Sequence, residues 1–469
     1  QAFCPRPPSP PLALSECGAA GPTLARARAR PSSSTGPAPV LPHRRRRRRS
    51  DGAMCWRVQA GSPRRKGDAG EGSGAAKQAG AAKAPAAPGA AGVVRVGLIA
   101  DIQYADCEDG TDFEGTEQRH FRNSIEIARS AVRCWNADPV EVVIQLGDII
   151  DGCNARLNAS GDAMAKVLNT LDQCTASRRF DLIGNHELYN VRRENLASSG
   201  LRCFDDSGKT YYSAHLGGMW EAIFLDAYEH ALIGMGDGEE GYMKARDIMQ
   251  QNNPRVLDPS NKNWFDGLPE DLHRFVPYNG GASPEQVSWL EGALAAAAVA
   301  GRKVLVFSHV PLYEPATKKK TLIWNFQEIM RVLHSHKDTV VAVFAGHDHN
   351  GGYAVDDAGL HHVTMNSPLT APVGSDCFAV LECHDSGMAR FIAHGRACVE
   401  SGTNANGRAY AEIVLAKGAQ NLPVEGTAII GEAEKLSSVV AMGFTPEQAR
   451  GALDMANGSV DGAIQLLVE

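Results

Sequence analysis

Five times between residues 93 and 349, a short apolar run gives way to a turn that carries an oxygen or imidazole ligand. The runs span residues 93–100, 140–146, 180–183, 304–308 and 340–345. The turns are Asp101-Ile102-Gln103, Gly147-Asp148, Gly184-Asn185-His186-Glu187, Ser308-His309 and Gly346-His347-Asp348-His349. Runs of four to eight β-branched and apolar residues read as buried strands. Ligand-bearing residues gather at strand ends in open α/β sheets. Helical patterns at 118–136, 163–171 and 284–300, with another helix between residues 308 and 340, alternate with the strands, so the fold class is α/β. Residues 211–215 and 219–225 read as paired strands, and strands dominate again up to about residue 397. A polar stretch at 229–283, punctuated by Gly, Pro and Asn, reads as an insertion.

The remainder of the chain is organised differently. Its 469 residues suggest roughly two to four domains at about 150 residues each. Of 47 basic and 54 acidic residues, 16 and 4 fall in residues 1–92, so the net charge of −7 combines +12 there with −19 beyond. Residues 1–92 lack helical or strand periodicity, are rich in Pro, Ala, Ser, Gly and Arg, and read as a disordered basic leader. The run Arg44–Arg49 also fits a nuclear or nucleic-acid patch, and the acid-poor composition an organelle transit peptide. The first methionine is Met54, an alternative start. The acidic body argues against nucleic-acid binding by the folded part. The longest apolar run, residues 293–300, is far short of the roughly 20 residues of a membrane span, so no membrane is expected. Eleven cysteines without a C-x-x-C pair point to reduced thiols and a cytoplasmic setting, with an organelle or the nucleus as the alternative if the leader is genuine. Residues 93–401 form the expected main domain, 402–433 a linker, and 434–469 a compact helical module; monomer is the default state.

Each turn has an ordinary reading when taken alone. Gly-Asp is a common turn, Gly-Asn-His could end a helix, and a single histidine such as His309 is more often a core residue than a ligand. Five in this order, each behind a strand, point instead to one shared site. Carboxylates, amides and imidazoles without a thiolate suit manganese, iron or zinc. Two ions about 3.5–4 Å apart need a bridging ligand, and Asp148 is the central candidate.

The series D-x-Q, G-D, G-N-H-E, H and G-H-x-H resembles the calcineurin-like metallophosphoesterases over roughly residues 93–400. The resemblance implies an α/β/β/α sandwich with two divalent metal ions. Asp101, Gln103, Asp148 and His349 would hold one ion, and Asp148, Asn185, His309 and His347 the other. His186 would stand beside the scissile phosphate as acid or oxyanion donor. Most of that superfamily has His where this chain has Gln103. Gln103, with Tyr104-Ala105-Asp106, Ile149-Ile150-Asp151-Gly152, Leu188-Tyr189-Asn190, Asn279-Gly280-Gly281 and Asn350-Gly351-Gly352-Tyr353, is similar to the manganese-dependent ADP-ribose/CDP-alcohol diphosphatases. Purple acid phosphatases carry Tyr three residues past the bridging Asp, where this chain has Asp151.

That resemblance implies hydrolysis of ADP-ribose to AMP and ribose 5-phosphate, or of CDP-alcohols such as CDP-choline and CDP-glycerol to CMP and a phosphoalcohol. A metal-bridging hydroxide would attack in line, and no Ser or Cys stands in a nucleophile motif. Tyr104, Phe113, Tyr189, Tyr278 and Asn279 lie in or near the motif loops and are candidate substrate contacts, with core packing as the alternative for each aromatic ring. The rival functions are a phosphomonoesterase or cyclic-nucleotide phosphodiesterase on the same fold, or a ubiquitin adaptor.

At the C-terminus, Thr445 can cap a helix with Pro446 in its first turn, Gly458 can end it, and Ser459 can start the next. The Met442-Gly443-Phe444 turn and the Leu466-Leu467 pair resemble those of a ubiquitin-associated (UBA) domain. This implies a small three-helix domain whose apolar patch, built from these five residues, binds ubiquitin. The alternative is that they only close a small core.

Overall fold

Strand β1, Val93–Ile99, lies in the middle of a sheet, pairing parallel to β4, Val142–Gln145, on one side and antiparallel to β12, Cys377–His384, on the other. The computed structural model describes residues 92–112, 115, 117–261, 263–397, 410–419, 421, 444–455 and 467. The basic leader, residues 1–91 of it, lies outside them.

The first sheet runs β14-β13-β12-β1-β4-β5, with β5 at Arg178–Asp181, β13 at Ala389–Gly395 and β14 at Glu412–Leu415. The second runs β10-β11-β9-β8-β7-β6. Its strands are β6 (Tyr212–Gly217), β7 (Trp220–Leu225), β8 (Lys303–Ser308), β9 (Val340–Ala345), β10 (Asn350–Val355) and β11 (His361–Asn366). Short strands β2 (Gly110–Thr111) and β3 (Gln118–Arg119) make a separate hairpin. The two large sheets pack face to face: Phe180 of β5 lies 5.0 Å from Phe224 of β7, and Phe344 of β9 lies 6.1 Å from Phe391 of β13. Every residue of β7 and β11 is buried, as expected for strands covered on both faces.

Helices cover the outer faces. Helix α1, Ser124–Ala137, buries Ile125, Ala128, Ala131, Val132 and Trp135, a stripe at helical spacing. Trp135 packs edge-on against Phe378 of β12 at 5.8 Å. It also explains Gly97 in β1, where a Cβ would fall 2.6 Å from the indole ring. Helix α2 (Cys153–Leu157) and α3 (Ser160–Leu171) join α1 on this face. Helix α4 (Asn185–Asn190) follows β5, and α5 (Glu240–Asn252) lies between β7 and β8. Helices α6 (Pro284–Val299) and α7 (Phe326–Ser335) cover the second sheet, and α6 is capped by the Ser283 side chain. The α/β/β/α arrangement matches the expected class.

Three local expectations change. The helix expected from residue 118 starts at Ser124, because Gln118 and Arg119 pair with Thr111 and Gly110 instead. The insertion at 229–283 contains α5 and has its own apolar cluster, Ala245, Met249 and Phe275 with Trp324. The stretch 402–433, expected as linker, supplies β14, which pairs with β13 and buries Ile413 and Leu415 in the main core. Its short apolar stretch stands in a weakly patterned segment, and pairing with β13 is what makes it a strand.

At the C-terminus, α8, Pro446–Met455, is described. Thr445 Oγ1 accepts the Gln448 N–H at 3.2 Å and Gln448 Oε1 accepts the Thr445 N–H at 2.9 Å, a reciprocal capping box. Of the expected ubiquitin-binding residues, Phe444 and Leu467 are described, whereas Met442, Gly443 and Leu466 lie outside the described residues. No helix among the described residues is long and apolar enough to cross a membrane.

Candidate metal centre

The five ligand-bearing turns sit at the carboxyl ends of parallel strands: β1, β4 and β5 in one sheet, β8 and β9 in the other. Asp101, Gln103, Asp148 and His347 all have left-handed backbones, with φ of 48°, 43°, 58° and 69°. Among the described residues only one other non-glycine, Asn158, has a positive φ. Such conformations cost roughly 1–3 kcal/mol each and cluster at functional sites. Here they turn each chain sharply enough to aim its side chain back across the strand ends.

Asp148 is the hub. Its Oδ2 lies 3.3 Å from His309 Nε2, accepts the Gln103 amide at 3.2 Å, and is 4.0 Å from His186 Nε2. Its Oδ1 accepts the His186 backbone N–H at 2.7 Å. Ligand atoms of Asp148, His309 and His347 lie within 4.8 Å of one another. Asn185 Oδ1 is 3.4 Å from His309 Nε2. On the other side of the hub, Gln103 Nε2 is 2.8 Å from His349 Nε2, which is 3.9 Å from Asp101 Oδ1. Asp101 in turn accepts the His347 N–H through both oxygens at 3.0 Å. The structure thus brings the seven expected ligands into one cluster.

A ring of supporting contacts fixes these side chains. His309 Nδ1 donates to Leu146 O at 2.7 Å, leaving Nε2 toward Asp148. His349 Nδ1 is held by Glu117 Oε1 at 2.8 Å, and His347 Nε2 by Asn279 Oδ1 at 2.7 Å. Each imidazole therefore has one nitrogen tied down and the other available, the outer-shell arrangement of metal-ligating histidines. Buried Glu187 accepts the N–H groups of Asp148, Ile149 and Gly184 at 2.7–2.8 Å and clamps two ligand turns together. A Cβ on Gly184 would fall 2.0 Å from Asp148 Oδ1, so only glycine fits there.

The electrostatics fit a divalent cation. Burial pushes the Asp101 carboxyl up to about 6, against the pull of His309 and His349. Burial opposes the charged form of His309, yet the Asp148 carboxylate lifts it to about 9. Burial and the neighbouring His309 hold His347 well below its ordinary value, as a neutral ligand must be. The protons held among these groups are those a bound cation displaces. Gln103 Oε1 is buried with no hydrogen-bond partner. Turning that carboxamide over would direct this oxygen at the same ligand atoms, which suits a hard cation.

The expected substrate contacts divide. Tyr189 is partly exposed and packs edge-on against His186 at 5.2 Å. Tyr278 lies 5.8 Å from the His347 ring. Tyr104 is corrected, because it is Gln103 that faces the cluster. The Tyr104 ring is buried in the core, with the Lys166 ammonium 4.4 Å above it and bonded to its hydroxyl. Asn279 is also corrected. It is fully buried, donates to Arg274 O and Lys320 O, and turns its oxygen to His347 rather than outward. Phe113 lies outside the described residues. Sequence reasoning missed Glu117, Glu187 and Asp151 as supports. Glu187 stood in the quoted G-N-H-E motif, but nothing local distinguishes Glu117.

Comparison with known proteins agrees with this geometry. Residues 94–351 match the family description "Calcineurin-like phosphoesterase". The chain is similar to the manganese-dependent ADP-ribose/CDP-alcohol diphosphatase of Danio rerio, 35% identical over 319 residues covering 66% of this chain and 97% of that protein. The Homo sapiens protein of the same name is 34% identical over 307 residues, covering 62% and 87%. The crystal structure of a dimetal phosphatase from Danio rerio superposes with a TM-score of 0.62 at 32% identity, covering 70% of this chain and all of that one. The chain belongs to the calcineurin-like phosphoesterase family.

Proposed function

We propose that this chain is a manganese-dependent hydrolase of the diphosphate bond in ADP-ribose and CDP-alcohols, releasing AMP or CMP and a phosphorylated product. The observation that carries this reading is the tying of one nitrogen on each of His309, His347 and His349, which leaves the other nitrogen of each for the cluster of Asp101, Gln103 and Asp148. Asp101, Gln103, Asp148 and His349 would hold one ion, and Asp148, Asn185, His309 and His347 the second. Bound there, two divalent ions supply Lewis-acid charge at the phosphoryl oxygens and lower the pKa of water.

The protein's own part is orientation and proton placement. His186 Nδ1 accepts the Gly152 N–H at 2.8 Å and lies 3.3 Å from Asp151 Oδ2. Its proton therefore stays on Nε2, which faces the cluster and can donate to a phosphoryl or leaving oxygen. The leaving group is itself a phosphate, so it needs little protonation. Tyr189 is assigned to the organic part of the substrate, supported by its exposure and its packing on the His186 ring.

The test is a manganese-supplemented panel of ADP-ribose, CDP-choline, CDP-glycerol, p-nitrophenyl phosphate and a cyclic nucleotide. AMP or CMP release from the diphosphates is expected. Turnover of the monoester or cyclic nucleotide alone would overturn the reading.

The C-terminal segment, residues 434–469, is assigned to ubiquitin binding through Met442, Gly443, Phe444, Leu466 and Leu467, supported by the motif and the capped start of α8. Titration of the full chain into labelled ubiquitin tests this: shifts lost in Phe444→Asp are expected, and none with the parent chain would refute it. A leader over 1–92, a catalytic domain running from residue 93 through β14, a cytoplasmic setting and a monomeric state complete the reading.

A further inference from the structure

Two segments beside His186 run together for several residues. Tyr104 bridges Ile150 in parallel register, the Asp151 N–H donates to Tyr104 O at 3.1 Å, and Asn154 Nδ2 donates to the same oxygen at 2.8 Å. Three residues beyond Tyr104 stands Cys107, and three beyond Ile150 stands Cys153. The equal offset brings their sulfurs to 3.8 Å, with both residues half-buried. Of the seven cysteines among the described residues, these two are the pair brought together.

Both thiols are built into the surroundings of His186. The Cys153 N–H donates to Asp151 Oδ1 at 2.7 Å, and Asp151 Oδ2 is 3.3 Å from His186 Nδ1. Gly152, the residue before Cys153, donates its N–H to the same nitrogen. On the opposite segment, Asp106 and Glu108 flank Cys107 and both pair with Arg122, at 2.7 and 2.6 Å. One thiol is thus on a strap held at both sides, and the other on the turn that orients His186.

We propose that Cys107 and Cys153 form a reversible disulfide site that lowers turnover by displacing the Asp151–Gly152 turn from His186. The effect on turnover rests on the hydrolase reading above; the covalent site does not. A disulfide needs sulfurs about 2.05 Å apart, so closure shortens this contact by side-chain rotation together with movement of the two segments. Strap 106–108 is tied to Arg122 through exposed ion pairs, whereas residues 151–153 carry the hydrogen bonds that orient His186, so whatever share of the movement they take reaches that ring. A misplacement of about 1 Å at a positioning group can cost up to roughly a hundredfold in rate.

The oxidant is a low-molecular-weight disulfide such as glutathione disulfide. One protein thiol loses its proton and attacks it, giving a mixed disulfide and one glutathione. The second protein thiol, also deprotonated, attacks the protein sulfur of that bond and releases a second glutathione. Two electrons and two protons pass to the released thiols. Burial and the Asp151 carboxylate push both protein thiols up. The exchange is therefore slow, and the pair responds to the sustained redox poise rather than to a brief oxidant pulse.

The test uses the full chain, loaded with manganese and equilibrated in glutathione buffers of graded poise. Peptide mapping should find a Cys107–Cys153 cross-link in the oxidised sample. Turnover of ADP-ribose, and of bis(p-nitrophenyl) phosphate as a nucleoside-free diester, should fall roughly tenfold or more and return with dithiothreitol. Cys107→Ser should keep the reduced enzyme's activity and lose the response. Absence of the cross-link at oxidising poise overturns the site. Cross-linking with unchanged turnover, or an equal loss in Cys107→Ser, overturns the coupling to His186. Failure on ADP-ribose with turnover of the diester would count against the hydrolase reading alone.

Discussion

Asn279 turns its carboxamide oxygen to His347 Nε2 at 2.7 Å and spends both amide hydrogens on the carbonyls of Arg274 and Lys320. This orients the ring so that its other nitrogen is available to the cluster around Asp148. Removing an outer-shell partner of this kind typically costs 10–100-fold in metal affinity or activity. Asn279→Ala should raise the manganese concentration for half-maximal activity by about that factor, with a smaller change in the rate at saturating metal. An unchanged metal titration would count against the positioning role.

Asp148 is assigned to both proposed ions. Asp148→Ala should lower hydrolysis by at least about 10³-fold while ubiquitin binding by the full chain is retained. Phosphate-release assays and a ubiquitin titration on the same preparation measure both, and undiminished turnover would contradict the site.

His186→Asn removes the Nε2 proton donor but leaves the proposed ligands in place. The expected result is a fall in kcat of about 10²–10³-fold with KM changed little. Steady-state kinetics separate this from a binding defect, in which KM would carry the loss.

Away from the centre, Asp356 Oδ2 accepts from His334 and His362, both at 2.9 Å, and Oδ1 accepts the N–H groups of Ala358 and Leu360. Burial would raise this carboxyl, but the bonds from His362, Leu360 and His334 hold it well below its ordinary value. A carboxyl depressed in the folded state contributes stability that is fully present above the unfolded value, about 4, and is lost as pH falls below it. Urea unfolding of the parent chain should therefore show a loss on going from pH 5 toward pH 3. Asp356→Asn should be destabilised by about 1–3 kcal/mol at pH 7 and should lose less over that acid range.

Much of the site was legible because its ligands sit in short motifs whose chemistry is local. Asp101, Asp148 and His309 each stand directly behind a run that any reader would make a strand, and the structure brings them to one cluster. Tyr104 was misread because motif proximity was taken for orientation. Its neighbour Gln103 faces the cluster, while the Tyr104 ring packs in the core beside Lys166. β14 went unread because its short apolar stretch stands in a weakly patterned segment, and nothing local shows the edge of β13 that it pairs with.

The order of strands and ligand turns, the α/β class and the identities of the candidate ligands were written in the chain, since each depends on residues within a few positions of one another. Which nitrogen of each imidazole is tied, that Glu117 supports His349 across 232 residues, and that Cys107 meets Cys153 across 46 were decided only by folding. Those relationships are distances between segments, set by how the sheets pack and where the strands end. No local periodicity records them.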